Sequence, residues 1–419
     1  MSPREFALIA IDTTSPTKVF EAEPAVRPKV LLIAPVGIGV GGMIASANLL
    51  VEELRRQDLV QLEIIDSTQR YRDCCDLSLF SRVWGGSWHA CKVTLSLLIS
   101  LIKFRPDFVS IWSSASLGLC RDIPLCALAR VLGARTHVSF HFGRIPDLAI
   151  KRNWEWRLLS LIVRIGTIVS VLDHRSLVAL ADAFPNRCIC QNPNAVDLGW
   201  IDEIREKTNS ARSKTGCPLL VFVGMALPSK GVVESVEACM GILNEAFELE
   251  IVGPIAPEVK SQLTAIAIKR EGGVWLRFAG AVSNDEAAQR IASADVFVLP
   301  SYSEGFPRSA LEAMALGVAI VATNVGAIPE MLQGSHGEVA GVIVPPRDTQ
   351  SLRLAIEKLL QDPAKRSALG AAARKKCESS YLISDHARSI ALSVWAGMPN
   401  MEAMRADDEP AGPPRSGRG

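Results

Sequence analysis

Two glutamates eight residues apart, Glu304 and Glu312, lie in the segment of the sequence that is richest in groups able to do chemistry. The apolar run DVFVLP ends at Pro300, and a turn containing Gly305 leads to Pro307, whose fixed φ suits the first turn of a helix. We therefore predict that Glu304 lies at the carboxyl edge of a parallel sheet, where α/β proteins bind ligands. Backbone N–H groups at the start of the helix would form a seat for a diphosphate.

Glu312 falls inside the otherwise apolar helical segment SALEAMALG. One carboxylate can hold two vicinal ribose hydroxyls through paired hydrogen bonds. The spacing alone leaves two interpretations open, either a ligand contact or a solvated glutamate at the edge of the helix.

A glycine-rich loop, APVGIGVGGM, follows the first apolar run and has Gly37, Gly39 and Gly42 in the spacing of the dinucleotide fingerprint. Asp66 ends the next apolar run, where a ribose ligand would lie. Taken alone, this pattern allows an NAD-dependent oxidoreductase. The signal is weak because any tight turn from strand to helix favours glycine.

Apolar runs that alternate with helical patterns must position these residues. A continuous run such as KVLLIAP (29–35) is typical of a strand buried on both faces of a parallel sheet. The alternation pauses near 195–217 and resumes at LLVFVG (219–224), which predicts two α/β domains. The other predicted strands are 60–66, 107–112, 135–141, 167–172, 187–191, 249–253, 275–280, 295–300, 318–323 and 341–346.

Charge and hydropathy narrow the function classes. The 419 residues carry a net charge of +1, which gives no reason to expect nucleic-acid binding. Between Lys29 and Asn194 there are 19 Lys and Arg against 13 Asp and Glu, which suggests a phosphate-bearing substrate, an anionic membrane face or an ordinary solvated surface. The longest apolar stretches, Val93–Ile102 and Leu158–Val163, are shorter than the roughly 20 residues that span a bilayer.

The cysteines and the N-terminal stretch favour a cytoplasmic protein. The ten cysteines lack zinc-site spacing and are expected to be reduced thiols. The apolar stretch Phe6–Ile11 is too short for a secretory signal. No Asp-x-Asp cluster suggests a metal, so we expect neither a metal nor a cofactor other than a co-substrate.

The segment 294–332 closely resembles the signature of family 4 of the retaining glycosyltransferases, which have the GT-B fold. The signature's Glu-Gly-Phe is present as Glu304-Gly305-Phe306, and its second Glu with Ala-Met-Ala begins at Glu312. The resemblance covers about residues 29–380 and is weaker in the first half. Further positions that agree in order are GVGG (39–42), HFG (141–143), QNPNAVD (191–197), FVGMALPSKG (222–231) and IVGP (251–254).

The resemblance implies an enzyme that moves a sugar from a nucleotide-diphosphate sugar to an acceptor hydroxyl with retention. Lys230 would neutralise the diphosphate, Glu304 would bind the transferred sugar and stabilise positive charge at its anomeric carbon, and Glu312 would hold the ribose. His141 would contact the sugar or diphosphate from the opposite domain, unless it is a core histidine. The remaining donor-binding positions implied by the resemblance are Gly41, Gly42, Gly305, Phe306 and Pro307.

The resemblance also implies the architecture, which is α/β with two Rossmann-like domains facing across a cleft and C-terminal helices that cross back to the first domain. We predict a nucleotide-sugar donor domain in the second half and an acceptor domain in the first. The predicted limits are a loosely ordered leader (1–28), an acceptor domain (29–196), a donor domain (197–380), a closing helix (381–398) and a disordered tail (399–419).

Two departures from the family pattern bear on activity. The family's arginine beside Lys230 is Met225 here, and the loss of a charge-assisted hydrogen bond to the leaving group would cost roughly 1.5–3 kcal/mol. Arg308 or Lys214 could compensate for it. A milder change puts Ala195 where the family has glycine. These departures keep open a catalytically weak homologue that acts as a partner in a polysaccharide assembly complex, and an epimerase or hydrolase also remains open.

The acceptor is expected to be a sugar or a lipid-linked sugar, in polysaccharide or glycolipid assembly. The stretch from Lys151 to Arg157, which leads into LLSLIVR, has the pattern of an amphipathic surface that contacts an anionic membrane peripherally at its inner face. The alternative is a helix whose apolar side packs on its own sheet. We expect the two domains to close over the donor.

Overall fold

The computed structural model describes residues 27–396 except 38, 40, 69–78, 212–216, 244, 270–274 and 334–338. The predicted tail (399–419), nearly all of the predicted leader, and Lys214 lie outside the described residues.

Six parallel strands form the sheet of the first half, in the order β2-β1-β3-β4-β5-β6. The order reverses between β1 and β3, so the loops after these two strands open a crevice at the carboxyl edge. The strands are β1 (Lys29–Ala34), β2 (Gln61–Asp66), β3 (Phe108–Ser113), β4 (Arg135–Phe140), β5 (Ile168–Val171) and β6 (Cys188–Gln191).

A second sheet of six parallel strands follows, in the order β12-β11-β10-β7-β8-β9. This is the doubly wound dinucleotide-fold order, and its reversal lies between β7 and β10. The strands are β7 (Leu219–Val223), β8 (Glu248–Val252), β9 (Leu276–Gly280), β10 (Val296–Leu299), β11 (Ala319–Thr323) and β12 (Val342–Val344).

Helices cover both faces of each sheet, because strands that are apolar on both sides must be shielded from water on both faces. In the first half they are α1 (Gly42–Gln57), α2 (Leu79–Lys103), α3 (Leu117–Val131), α4 (Ile145–Lys151), α5 (Trp154–Ile165) and α6 (His174–Ala183). The helices that follow are α7 (Leu198–Ala211), α8 (Val232–Met240), α9 (Pro257–Ala267), α10 (Asn284–Ser293), α11 (Arg308–Leu316), α12 (Ile328–Leu332), α13 (Thr349–Gln361), α14 (Pro363–Ser380) and α15 (Ile383–Ser389).

The C-terminal helix returns to the first sheet. The backbone at Val196 pairs with the chain at Tyr381 and Ile383, immediately before and within the start of α15. The helix and the π-helical turn that follows it, Ile390–Trp395, bury apolar side chains against α1 and the first sheet. The predicted crossing back of the chain is therefore confirmed.

Each predicted strand has a counterpart in the structure. The stretch 195–217, predicted only as a junction, contains the helix α7. No helix within the described residues is both long enough and apolar enough to cross a bilayer.

Candidate active site

A cavity of about 290 Å³ lies between the two sheets and receives residues from both halves of the chain. It opens where the carboxyl ends of the two sheets face each other, as the reversal points of the strand orders require. All of the predicted site residues line it, namely Gly41, Gly42, His141, Lys230, Glu304, Gly305, Phe306, Pro307 and Glu312. Arg308, expected from the sequence only as a possible substitute for the charge lost at Met225, lines it too, and sequence reasoning missed other lining residues, among them Asn194, Asn284 and Ser309.

Lys230 and Glu304 meet because they follow the two strands that flank the reversal of the second sheet. Lys230 ends a 3-10 turn (Pro228–Lys230) after β7, and Glu304 follows β10. Gly231 lets this turn pack on the end of β10, since a Cβ there would lie 2.0 Å from the carbonyl oxygen of Pro300. The Lys230 Nζ then donates a 2.8 Å hydrogen bond to Glu304 Oε1.

A buried hydroxyl also holds the same oxygen of the Glu304 carboxylate. Ser301 Oγ donates to Glu304 Oε1 at 2.6 Å, and Ser301 has no solvent exposure. Thr323 Oγ1 in turn donates to the backbone oxygen of Ser301 at 2.5 Å. The carboxylate that borders the cavity is therefore held by β11 as well as by its own turn.

Glu312 is buried and not solvated, which decides between the two interpretations of its position. Its Oε1 accepts a 2.8 Å hydrogen bond from Arg308 Nε, one helical turn earlier on α11. Burial raises the pKa of the Glu312 carboxyl above its ordinary value, and the Arg308 guanidinium opposes that shift. The Arg308 Nη1 also lies 3.5 Å from Ser46 Oγ on α1 of the other domain.

The first turn of α11 forms one wall of the cavity. The residue before the helix, Pro307, makes no side-chain cap, so the first backbone N–H groups of this nine-residue helix have no capping partner. Unpaired N–H groups and the positive end of the helix dipole attract anions. With Lys230 and Arg308 nearby, this wall suits a diphosphate.

His141 follows β4 and enters the cavity from the first domain. Its ring stacks on Trp112 with centroids 3.9 Å apart, and no described polar atom lies within hydrogen-bond distance of its buried Nε2. Burial, together with His137 and His386, lowers the pKa of His141 to about 3. The ring is thus neutral near pH 7, and its Nε2 has no hydrogen-bond partner among the described residues.

The glycine loop after β1 faces α11 across the cavity. Gly41 has a φ of +154°, and a Cβ on Gly42 would lie 3.6 Å from the Cβ of Arg308. Asp66 Oδ1 already accepts hydrogen bonds from the backbone N–H groups of Val36, at 3.1 Å, and Thr68, at 2.8 Å. The Asp66 carboxylate thus binds the backbone of the loops after β1 and β2. The glycine fingerprint with Asp66 therefore gives no support to an NAD-binding interpretation.

The structure also bears on two other expectations from the sequence, which concern Met225 and the basic-aromatic stretch from Lys151 to Arg157. Met225 is half-exposed and does not line the cavity, whereas Arg308 does. The basic-aromatic stretch from Lys151 to Arg157 leads into α5, whose apolar side chains Trp156 and Leu159 are buried in the core of the first domain.

Comparisons with known proteins agree with this geometry. Residues 203–376 match the family model described as glycosyl transferases group 1. The chain is 26% identical over 319 residues to a sulfoquinovosyl transferase of Arabidopsis thaliana, covering 71% of this chain and 60% of that protein. It is 28% identical over 276 residues to a D-inositol 3-phosphate glycosyltransferase of Corynebacterium aurimucosum, covering 62% of this chain and 65% of that protein. The chain thus spans less than two thirds of either relative.

Solved structures are similar over most of the chain. Sucrose-phosphate synthase from Thermosynechococcus elongatus superposes with a TM-score of 0.70 at 18% identity, over 87% of this chain and 98% of that one. The Anabaena protein HepE, in complex with UDP and glucose, gives 0.63 at 15% identity, over 88% and 99%. At such identities the likeness concerns the fold alone, and it confirms the predicted GT-B architecture.

Proposed function

Because residues 203–376 match the glycosyl transferases group 1 model, we propose that the chain transfers a sugar from a nucleotide-diphosphate sugar to an acceptor hydroxyl. The observation that carries the proposal is the convergence of Lys230, Glu304, Glu312 and His141 on one cavity between the two domains. We propose a hexosyl donor, retention of anomeric configuration, and a role in polysaccharide or glycolipid assembly.

The choice of donor and acceptor classes follows the similar proteins. Two of them are named for the transfer of a sulfoquinovosyl group and for glycosyl transfer with inositol 3-phosphate. Other similar structures contain UDP or UDP-glucose. We therefore propose UDP-hexoses as the first donors to test, and a sugar or lipid-linked sugar as the acceptor.

The paired charges in the cavity suggest how the donor binds. Among the described residues, two cations line it, Lys230 and Arg308, and each is bound to a carboxylate, Glu304 and Glu312 respectively. A diphosphate would attract both cations and the first N–H groups of α11. Sugar and ribose hydroxyls would then take their places on the two carboxylates.

The chemistry that we propose is electrostatic. Positive charge develops at the anomeric carbon as the bond to the diphosphate breaks, and Glu304 would stabilise it while Lys230 stabilises the leaving group. No cofactor besides the nucleotide sugar is part of the proposal. The His141 ring, which is neutral, would form a hydrogen bond with the sugar or the diphosphate of the donor.

We propose that the protein works in the cytoplasm, peripherally at the inner face of the membrane. Cysteines of the described residues such as Cys91, Cys126 and Cys190 are free thiols, which suits a reducing compartment. The acceptor would enter from the side of the first domain, whose sequence has the basic excess.

The test is a thermal-shift and calorimetry panel of nucleoside diphosphates and nucleotide sugars on wild type, Glu312→Ala and the matched control Glu203→Ala. A ligand that binds only the native state raises the apparent stability. We expect one nucleotide family to stabilise the wild type and the control, and to bind Glu312→Ala at least tenfold more weakly, because a buried hydrogen-bonding carboxylate is lost. Glu203 is exposed on α7.

Turnover separates the remaining alternatives. Release of nucleotide from a bound donor only when an acceptor is present supports a transferase. Release without any acceptor would indicate a hydrolase, and binding without turnover in any mixture would indicate a binding partner. A shift by NAD(H) alone would contradict the whole proposal.

A further inference from the structure

Helix α2 is apolar on two opposite sides. At 100° per residue, Val93, Leu97 and Leu101 lie on one side, and they are buried in the core of the first domain. A helix with a single core to pack on needs only one such side. The second apolar side of α2 therefore requires its own explanation.

That second side is exposed along the described length of the helix. Four large apolar side chains recur on it within an arc of about 60°, which we call the α2 stripe. Their exposed fractions are 66% for Trp88, 59% for Leu95, 45% for Ile99 and 62% for Ile102. Single exposed apolar residues are ordinary on protein surfaces, but a continuous row marks an interaction surface.

The place of α2 in the fold explains why the stripe has no cover. Beta strand β2 is at the edge of the first sheet, and α2 is at the corresponding end of the helical layer, where it packs on α3. The exposure of the stripe shows that no other described element lies on its outer side.

The charges around the stripe identify the class of partner. No aspartate or glutamate occurs between Leu79 and Lys103, and the exposed Lys92 and Lys103 flank the stripe on one side. The Lys92 Nζ lies 5.8 Å from the centroid of the Trp88 ring, so a cation and an indole are presented together. A row of Trp, Leu and Ile beside lysines is the pattern of a helix that lies in the interface of an anionic bilayer.

The structure favours this surface over the stretch from Lys151 to Arg157 that the sequence suggested. There the apolar side of α5 is used by the core, and the large apolar residues left exposed are Trp154 and Leu161 on α5 and Ile150 on α4. On α2 the core and the exposed row occupy different sides, so both can be used at once.

We propose that the α2 stripe docks the protein on the surface of an anionic phospholipid bilayer. This inference deepens the proposed function. Its link to a membrane-bound acceptor rests on that proposed function. Helices of a parallel α/β sheet run antiparallel to its strands, so the Trp88 end of the stripe is the end nearer the carboxyl edge. Because the cavity opens at that edge, docking by α2 would hold the acceptor side of the cavity beside the bilayer.

The test is co-flotation of the full chain with vesicles of phosphatidylcholine, with and without phosphatidylglycerol. We expect binding only to the anionic vesicles, weakened by added salt. The variant Leu95→Gln/Ile99→Gln/Ile102→Gln should bind roughly tenfold more weakly or worse, because three side chains no longer enter the apolar region. Lys92→Glu/Lys103→Glu should also lose binding. The matched control, Leu243→Gln/Ile268→Gln/Leu354→Gln, replaces exposed apolar residues of the second domain and should bind as the wild type does.

Three results would overturn the inference. The first is a wild-type chain that ignores anionic vesicles, and the second is equal binding by the stripe variant and the control. The third is a wild-type dimer without vesicle binding that becomes monomeric in the stripe variant, which would make the face an interface between copies. Calorimetry with nucleoside diphosphates on the same preparations shows that each variant is folded. It also separates a failure of this inference from a failure of the proposed function.

Discussion

Gly143 of the first domain lies against the backbone carbonyl of Glu304 in the second, and an ideal Cβ on Gly143 would be 1.6 Å from that oxygen. The same oxygen faces Gly326, where a Cβ would be 2.1 Å away. The turn that carries the proposed catalytic carboxylate is thus enclosed between two glycines, one from each domain. Any side chain at Gly143 must push the domains apart at this turn.

Gly143→Ala should therefore lower turnover and spare the fold. A displacement of about 1 Å at the reacting groups can cost roughly a hundredfold in rate, so we expect a loss of that order in kcat. In the proposed mode of binding the donor diphosphate would contact the second domain, so it should bind within about twofold of wild type. Acceptor-dependent nucleotide release measures the first quantity and calorimetry the second. Gly199→Ala, in α7, is the control, and an unchanged kcat in Gly143→Ala would show that this contact is not needed for reaction.

Glu304→Gln should separate binding from chemistry. The amide can keep the hydrogen bond from Ser301, but it cannot stabilise positive charge, so kcat should fall by roughly 10²–10³. Lys230 would lose its carboxylate partner, and a nucleoside diphosphate should bind as well as in wild type or more tightly. The measurements are acceptor-dependent nucleotide release and calorimetry. Ser301→Ala should have a smaller effect on kcat, and a parallel loss of binding and turnover in Glu304→Gln would contradict the assigned role.

Glu330 joins the domains at a second point. Its Oε2 accepts a 3.0 Å hydrogen bond from the backbone N–H of His174, and its Oε1 accepts one of 2.9 Å from Gln191 Nε2. Burial raises the pKa of Glu330 to about 7, although the bond from His174 opposes the shift. This carboxyl is therefore half-protonated near neutral pH in the folded protein.

The free energy of unfolding should depend on pH through Glu330. Its pKa is higher in the folded than in the unfolded chain, so between about pH 4.5 and 7 the folded state binds more protons. The contribution of this group to stability thus falls as pH rises through that window, by at most about 1.4 kcal/mol per pH unit. Denaturant unfolding should show that the stability of Glu330→Gln falls less, or rises more, with pH across this range than that of the wild type. Glu203→Gln should leave the dependence unchanged, and equal slopes in all three proteins would refute the assignment.

The strands were predictable from the sequence because a strand buried on both faces must be a continuous apolar run. The position of Glu304 followed from the same rule, since polar residues after such runs gather at one edge of the sheet, whereas Lys230 was expected from the resemblance. The resemblance supplied their partners in the other domain, His141 and Gly42. The structure then brought all of them to one cavity.

The features that the sequence could not predict depend on contacts between residues far apart in the chain, or on which of two surfaces a side chain packs against. Glu312 could have pointed to solvent, and only the packing of α11 shows it buried beside Arg308. The sequence of α5 looked amphipathic, but the pattern does not say whether a core or a membrane takes the apolar side. Likewise Asp66 fits the acidic position of the dinucleotide fingerprint, but its carboxylate accepts a hydrogen bond from the backbone N–H of Val36 in the glycine loop.

Arg308 is the residue that the structure offers for the charge missing at Met225. It lines the cavity, and its guanidinium is mostly buried between Glu312 and Ser46 of the other domain. We therefore expect Arg308→Gln to weaken binding of the nucleoside diphosphate by roughly ten- to a hundredfold. Met225→Arg, which adds a cation after β7, should strengthen that binding and restore most of the affinity in the double variant.

The ratio of the affinities for the nucleoside diphosphate and the nucleoside monophosphate shows whether Arg308 binds the terminal phosphate or acts only through Glu312. Arg308 also holds Glu312, so its loss can disturb the proposed ribose site, but both nucleotides share that ribose and the disturbance cancels in the ratio. A cation that binds the terminal phosphate is felt only by the diphosphate. If Arg308→Gln lowers both affinities alike, Arg308 acts only on Glu312. The leaving group then depends on Lys230 and the amides of α11 alone, and Met225→Arg would be the change expected to raise turnover.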